Sequence, residues 1–187
     1  MNDLIAQIER YQPWNEQEER DRLLLLRLLR TDGTIFSREN DAYHMTASAW
    51  VVSPDRTQVL MAYHNIYRSW SWLGGHADGE QDLLAVAARE VREESGIRSV
   101  LAVSREPFSL ESLTVDGHEK RGRYVSSHLH LNVTYLLEAD PEEQVASKPD
   151  ENSAVGWFPL QKAVEMSTEP WFRERIYQKL NAKLLAR

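Results

Sequence analysis

The chain has 187 residues, 42% of them hydrophobic and 27% charged, which fits one domain plus at most an appendage and excludes wholesale disorder. Its net charge of −7, from 29 acidic and 22 basic side chains, argues against a general binder of duplex DNA or RNA, which needs a basic footprint. There is no cysteine, which removes disulfides, thiolate metal sites and a cysteine nucleophile, and no apolar run approaches the ~18 residues of a membrane span.

The first ten residues, MNDLIAQIER, lack a basic start followed by an apolar stretch, so a cytoplasmic protein without a secretory signal is expected. Residues 1–36 read as an N-terminal helical extension and residues 37–187 as the main domain. Asn2 is placed to cap a short helix through Tyr11, which Gln12-Pro13 breaks. Asn15, with Glu18 three residues on, predicts the start of a second helix that Asp32-Gly33 stops. Leucines 23, 24, 25, 26, 28 and 29 make a face too wide for a solvated helix, so it must pack on its own domain or across a homodimer.

Residues 46–53 predict a strand, Pro54-Asp55 a turn and residues 58–64 the returning strand. Trp70 and Trp72 follow on an extended segment, and Gly74-Gly75 reads as a turn entering a loop. Residues 82–95 are helical and end at Gly96, while residues 97–139 are mostly strand-like. Within these, Leu129, Leu131, Val133 and Tyr135 share one strand face, and His128, His130, Asn132 and Thr134 the other. A polar loop spans residues 140–154, followed by a short strand at 155–158, a helix from Pro159 and a last helix from Pro170 to about Leu185.

Chemistry concentrates in the segment REVREESGI, residues 89–97. On a helix, Leu84, Ala87, Ala88, Val91 and Ser95 point one way, and Glu90 and Glu94 lie within about 40° of each other on the flank of that face, with Glu93 adjacent. Like charges at i and i+4 cost an isolated helix ~0.2–0.5 kcal/mol, which a cation between them would reverse. Oxygen-only ligands suit Mg²⁺ or Mn²⁺, with substrate phosphates completing the shell. The alternative is a solvated acidic face carrying an Arg89–Glu93 pair.

The segment resembles the core of the Nudix box, G-x5-E-x7-R-E-U-x-E-E-x-G-U with U apolar. Arg89, Glu90, Val91, Glu93, Glu94, Gly96 and Ile97 meet every fixed position of that core. With residue frequencies of ~5–7%, chance agreement is below about one in a million per start position. Gly75 stands fourteen residues before Arg89, as the pattern requires, but its first Glu falls on Gln81, with Glu80 next door. The resemblance reaches roughly from residue 44 to 165 and is to a bacterial branch with segments like SWSWLGGHADGEQDLLAVA and YVSSHLHLNVTYLLEA. It implies an α/β fold, a Nudix-type α/β/α sandwich on a mixed β-sheet with the N-terminal helices as an extension. It also implies a pyrophosphohydrolase that uses Mg²⁺ or Mn²⁺ to cleave a small nucleoside diphosphate linked to another group. By position, Glu90, Glu93 and Glu94 are the metal-binding or water-orienting carboxylates, the Gly74 carbonyl a further ligand, and Arg89 a residue that orients a carboxylate. Many members use another Glu beyond the sheet, for which Glu151 is the first candidate, ahead of Glu138 and Glu119.

Other residues carry weaker signals. His128 and His130 can line a substrate cavity, bind a metal or face solvent, and His64 and His76 can meet phosphate or base. Trp72, like Trp70, can stack on a ring or pack in the core. The basic turn at residues 116–123, DGHEKRGR, can meet phosphate or form a solvated hairpin tip. Two other readings compete: a Nudix-fold sensor that binds a nucleotide without cleaving it, which tends to lose box carboxylates, and an isomerase of isopentenyl-diphosphate type, whose familiar form needs a cysteine.

Overall fold

The computed structural model describes residues 2–120 and 122–187. Helix α1 (Asn2–Arg10) and helix α2 (Glu16–Thr31) open the chain. The side chain of Asn2, expected as a cap, lies outside the described residues, as does Arg121 of the basic turn. Asn15 caps α2 as its residue type predicts, its side chain accepting from the Glu18 N–H at 2.9 Å. The Glu18 carboxylate turns back further than a capping box requires and accepts from the Trp14 N–H at 2.6 Å. The leucine face is covered within the protomer: Leu25, Leu26 and Leu29 are buried in one core with Leu4 and Ile8 of α1, and Leu23 stays exposed. Full burial of such a side chain stabilises by roughly 1.5–3 kcal/mol, enough to hold the two helices to the domain.

Ten strands follow among the described residues: β1 (Tyr43–Val52), β2 (Gln58–His64), β3 (Ser69–Ser71), β4 (Leu73–His76), β5 (Val100–Ala102), β6 (Ser109–Val115), β7 (His118–Lys120), β8 (Arg123–Val125), β9 (His128–Ala139) and β10 (Asn152–Pro159). Eight form one mixed sheet in the order β10-β2-β1-β9-β5, with β3 added to β2, β4 to β1 and β6 to β9. The central pair β1–β9 is parallel and the other pairs are antiparallel. β7 and β8 form a separate hairpin at the basic turn.

Gly74-Gly75 is not the expected turn. Both lie in β4, opposite Ser48 and Ala47 of β1. Their lack of side chain makes that possible, because a Cβ on Gly74 would fall 2.5 Å from the Ala47 carbonyl oxygen. β1 also starts three residues earlier than expected, and β10 is longer than the short strand expected there.

Period-two alternation sorts the core into two layers. On one face Met45, Ala47, Ala49 and Val51 of β1 join Leu131, Val133, Tyr135 and Leu137 of β9. Helix α3 (Leu83–Ser95) covers them with Leu83, Leu84, Val86, Ala87 and Val91, beside α1 and α2. On the other face Trp50, Val52, Met61 and Leu136 meet α4 (Leu160–Met166), a π-helical stretch at Phe172–Tyr177 and α5 (Gln178–Leu185). The result is an α/β/α sandwich on a mixed sheet.

Candidate active site

Helix α3 begins at Asp82, whose side chain accepts from the Ala85 N–H at 3.1 Å, and ends at Gly96, whose φ of +73° is the left-handed conformation that suits glycine. These two ends set the rotation of the helix. Val91 and Ser95 turn into the core, while Glu90, Glu93 and Glu94 run along the border between core and solvent.

The three carboxylates sit in different surroundings. Glu94 is buried, with the Gly74 N–H donating to its Oε2 at 3.0 Å. Burial, only partly offset by that bond, pushes its carboxyl up to about 8. Burial also raises Glu90, against the pull of Arg89. Glu90 lies directly under β4: a Cβ on Gly75 would come within 2.5 Å of its Cδ. Glu93 is half exposed. Arg89 serves two of the three, with its Nη2 3.0 Å from Glu90 Oε1 and its Nε 3.8 Å from Glu93 Oε1.

Glu151 joins this group from the loop after β9. Lys148 stands between it and the helix, 3.0 Å from Glu151 and 3.5 Å from Glu93. Asn152, which sequence reasoning missed, fastens that loop: its amide donates to the Glu94 carbonyl at 3.0 Å, and its side-chain oxygen accepts from the Lys148 N–H at 3.1 Å. The Ala146 N–H adds a bond to the Ser95 carbonyl at 2.7 Å. Of the weaker candidates, Glu138 pairs with Arg56 at 3.8 Å, and Glu119 lies on the β7–β8 hairpin.

The loop between β4 and α3 is held from below. The Ala77 N–H donates to the Met45 carbonyl and the Gly79 N–H to the Phe36 carbonyl. Asp78, at φ +49°, pairs with Arg38. Glu80 accepts from the N–H groups of Gln81 and Asp82 at 2.7 and 2.8 Å, so its carboxylate ties down the start of the helix.

The expected histidines divide. His64 ends β2 beside the Tyr67 ring, next to Asn65, whose N–H donates to the Glu151 carbonyl at 3.0 Å. His76, His128 and His130 gather on the other face of the sheet with His44, a residue that sequence reasoning missed. Burial holds His130 down to about 2 and lowers His44 as well, so both rings are neutral at ordinary pH. Trp72 packs edge-on against Phe172 and Tyr177, and Trp70 against Tyr63 and Phe158. The remainder of the polar face of β9 is closed off. Asn132 and Thr134 are fully buried and both donate to Glu111, at 3.0 and 2.8 Å.

The donor set at Glu90, Glu93, Glu94 and Glu151 is all oxygen, and the Glu90 carboxylate fills the space that a side chain on Gly75 would take. That chemistry fits a hard divalent cation such as Mg²⁺ or Mn²⁺. Comparisons with known proteins agree in fold. A family model described as the NUDIX domain matches residues 42–180. No curated protein matches the chain. Solved structures do. A dihydroneopterin triphosphate pyrophosphohydrolase of E. coli is 17% identical, with 76% of this chain and 96% of that chain covered and a TM-score of 0.56. A NUDIX-family hydrolase from Clostridium perfringens is 17% identical, with 74% and 97% covered and a TM-score of 0.53. An Ap4A hydrolase of C. elegans is 17% identical, with 76% and 98% covered and a TM-score of 0.52.

Proposed function

The chain belongs to the Nudix family, and on that premise we propose that it is a metal-dependent pyrophosphohydrolase acting on a small nucleoside diphosphate linked to another moiety. The observation that carries this reading is the placement of Glu90, Glu93 and Glu94 along one flank of α3, with Glu90 packed under Gly75 and Glu94 held by the Gly74 N–H of β4. In it, Glu90, Glu93, Glu94 and the Gly74 carbonyl hold Mg²⁺ or Mn²⁺. Such an ion, when bound, neutralises the diphosphate and makes water a better nucleophile.

The chain's own residues do the remaining work. Arg89 fixes the directions of the Glu90 and Glu93 carboxylates. Glu151 is our choice for the group that takes the proton as water oxygen attacks phosphorus and the anhydride P–O bond breaks. Lys148, which touches both Glu93 and Glu151, sets the distance between helix and loop and draws a phosphate oxygen toward them. His64, beside the loop that carries Glu151, is placed to meet the substrate's phosphate or base.

The test is a hydrolysis panel with Mg²⁺ or Mn²⁺ over ADP-ribose, dinucleoside polyphosphates, nucleotide sugars, coenzyme A and nucleoside triphosphates. Turnover of one class, abolished by EDTA and lowered by orders of magnitude in Glu94→Gln, is the expected result. Full turnover in metal-free buffer would overturn the reading. Binding of a nucleotide without cleavage under any metal would point to a sensor.

A further inference from the structure

On the face of the sheet away from α3, the first residues of β1 and β9 and the end of β4 bring four imidazoles together. The His44 ring is centred 5.1, 4.9 and 5.0 Å from the rings of His76, His128 and His130. His76 and His130 are 4.9 Å apart by the same measure, and His128 and His130 are 5.0 Å apart. One ring nitrogen from each of His44, His76 and His130 lies within 4.8 Å of the other two.

Two features make this more than an aromatic stack. His44 is 4% exposed, its Nδ1 lies 2.9 Å from the Asn40 carbonyl, and its Nε2 is buried with no hydrogen-bond partner. A carbonyl can only accept, so Nδ1 carries the proton and Nε2 presents a lone pair to the cluster. His128 is built the same way, with Nδ1 2.8 Å from the Ser126 carbonyl and Nε2 3.2 Å from His130 Nε2. A backbone carbonyl that fixes the outer nitrogen is the usual support for a metal-binding imidazole. Two nitrogens bound to one tetrahedral ion at ~2.0–2.1 Å stand about 3.4 Å apart, so modest ring rotations close the set.

We propose that His44, His76 and His130, with His128 as the fourth ligand, bind a borderline divalent ion of the Zn²⁺ type at a site separate from the carboxylates. Imidazole nitrogens select such an ion over Mg²⁺, which prefers oxygen. The two sites share a neighbour in the Arg38–Asp78 pair. Arg38 interacts electrostatically with His44 and His130 as well as with Glu90 and Glu151.

The probe is Co²⁺, added to the metal-free full chain in excess Mg²⁺ and read by its visible absorption. One equivalent with the intense bands of a tetrahedral nitrogen site, displaced by one equivalent of Zn²⁺ and not by further Mg²⁺, is expected. His130→Gln should weaken uptake at least tenfold. If that variant does not fold, judged by circular dichroism, His76→Gln replaces it with the same expectation. Glu94→Gln should leave the Co²⁺ bands in place while removing hydrolysis, so failure here and failure of the pyrophosphohydrolase reading are separable. Absence of uptake in excess Mg²⁺, or uptake indifferent to the histidine substitutions, would overturn the proposal.

Discussion

In the proposed site, Glu94 would serve metal binding at the expense of the metal-free fold. Its carboxyl is raised from an ordinary 4.5 to about 8 by burial, so the folded state binds its proton more tightly than the unfolded chain does. The stabilisation from that proton is fully present below about pH 4.5 and is lost as pH rises through about 8. Glu94→Gln, which keeps an oxygen for the Gly74 N–H, should therefore melt higher than the parent at pH 8.5 without metal. We expect a gain of about 1–2 kcal/mol, or about 2–8 °C, shrinking to nothing near pH 4, as read by thermal scans. The same proton must leave when a cation arrives, so calorimetry at pH 7 in buffers of different ionisation heat should detect proton release on Mg²⁺ binding. Gly75→Ala tests the neighbour. The added methyl would displace the Glu90 carboxylate from under β4 and should cut turnover ~100-fold, with a small change in melting temperature.

At the scale of elements, the loop entering α3 departs from the family pattern at Gln81, and the neighbouring Glu80 carboxylate accepts from two N–H groups at the start of the helix. Gln81→Glu should therefore leave turnover within a few fold, whereas Glu80→Ala should cost about 1 kcal/mol and lower the melting temperature by about 2–4 °C. A hundredfold gain in Gln81→Glu would mean the native loop is degraded. Helix α3 was legible because its signals are local: a cap, a periodic apolar face, and carboxylates three and four residues apart. β2 and the alternation of β9 were legible for the same reason. What could not be read depends on partners distant in sequence. Gly74-Gly75 looks like a turn until β1 is laid beside it, and nothing near His44 says that three more imidazoles will fold onto it. Asn152 gave no sign that it fastens a loop to the end of α3, because its partner is the Glu94 carbonyl.

Across the whole molecule, a buried polar chain on the face of the sheet away from α3 links β1, β9 and β6 to α5 and to the start of α2. Thr46 and Ser48 donate to Asn132 at 2.9 Å each, Asn132 donates to Glu111, and Lys179 Nζ reaches Glu111 at 2.9 Å. Glu18, at the start of α2, takes Lys183 at 2.8 Å and Ser109 at 2.7 Å. Burial alone would raise the Glu18 carboxyl, but Lys179 and Lys183 outweigh it and hold it down to about 2. Its contribution to stability is present above about pH 4.5 and is lost as pH falls through about 2, so Glu18→Gln should flatten the acid side of the stability profile. Lys183→Met leaves Glu18 with a weaker counter-charge and should cost about 3–5 kcal/mol in urea titration. Deletion of residues 1–33 removes Glu18 altogether and leaves two lysines buried with one carboxylate, so a large fall in melting temperature is expected. The arrangement also dictates an order of events during synthesis. Glu18 leaves the ribosome 165 residues before Lys183, and Thr46 leaves 86 residues before its partner Asn132. Until those partners emerge, α2 carries an acid that cannot be buried and β1 lacks its parallel neighbour. The native arrangement of Glu18 is therefore complete only once α5 has emerged, and a nascent chain halted before α5 is expected to aggregate more readily than one that carries it.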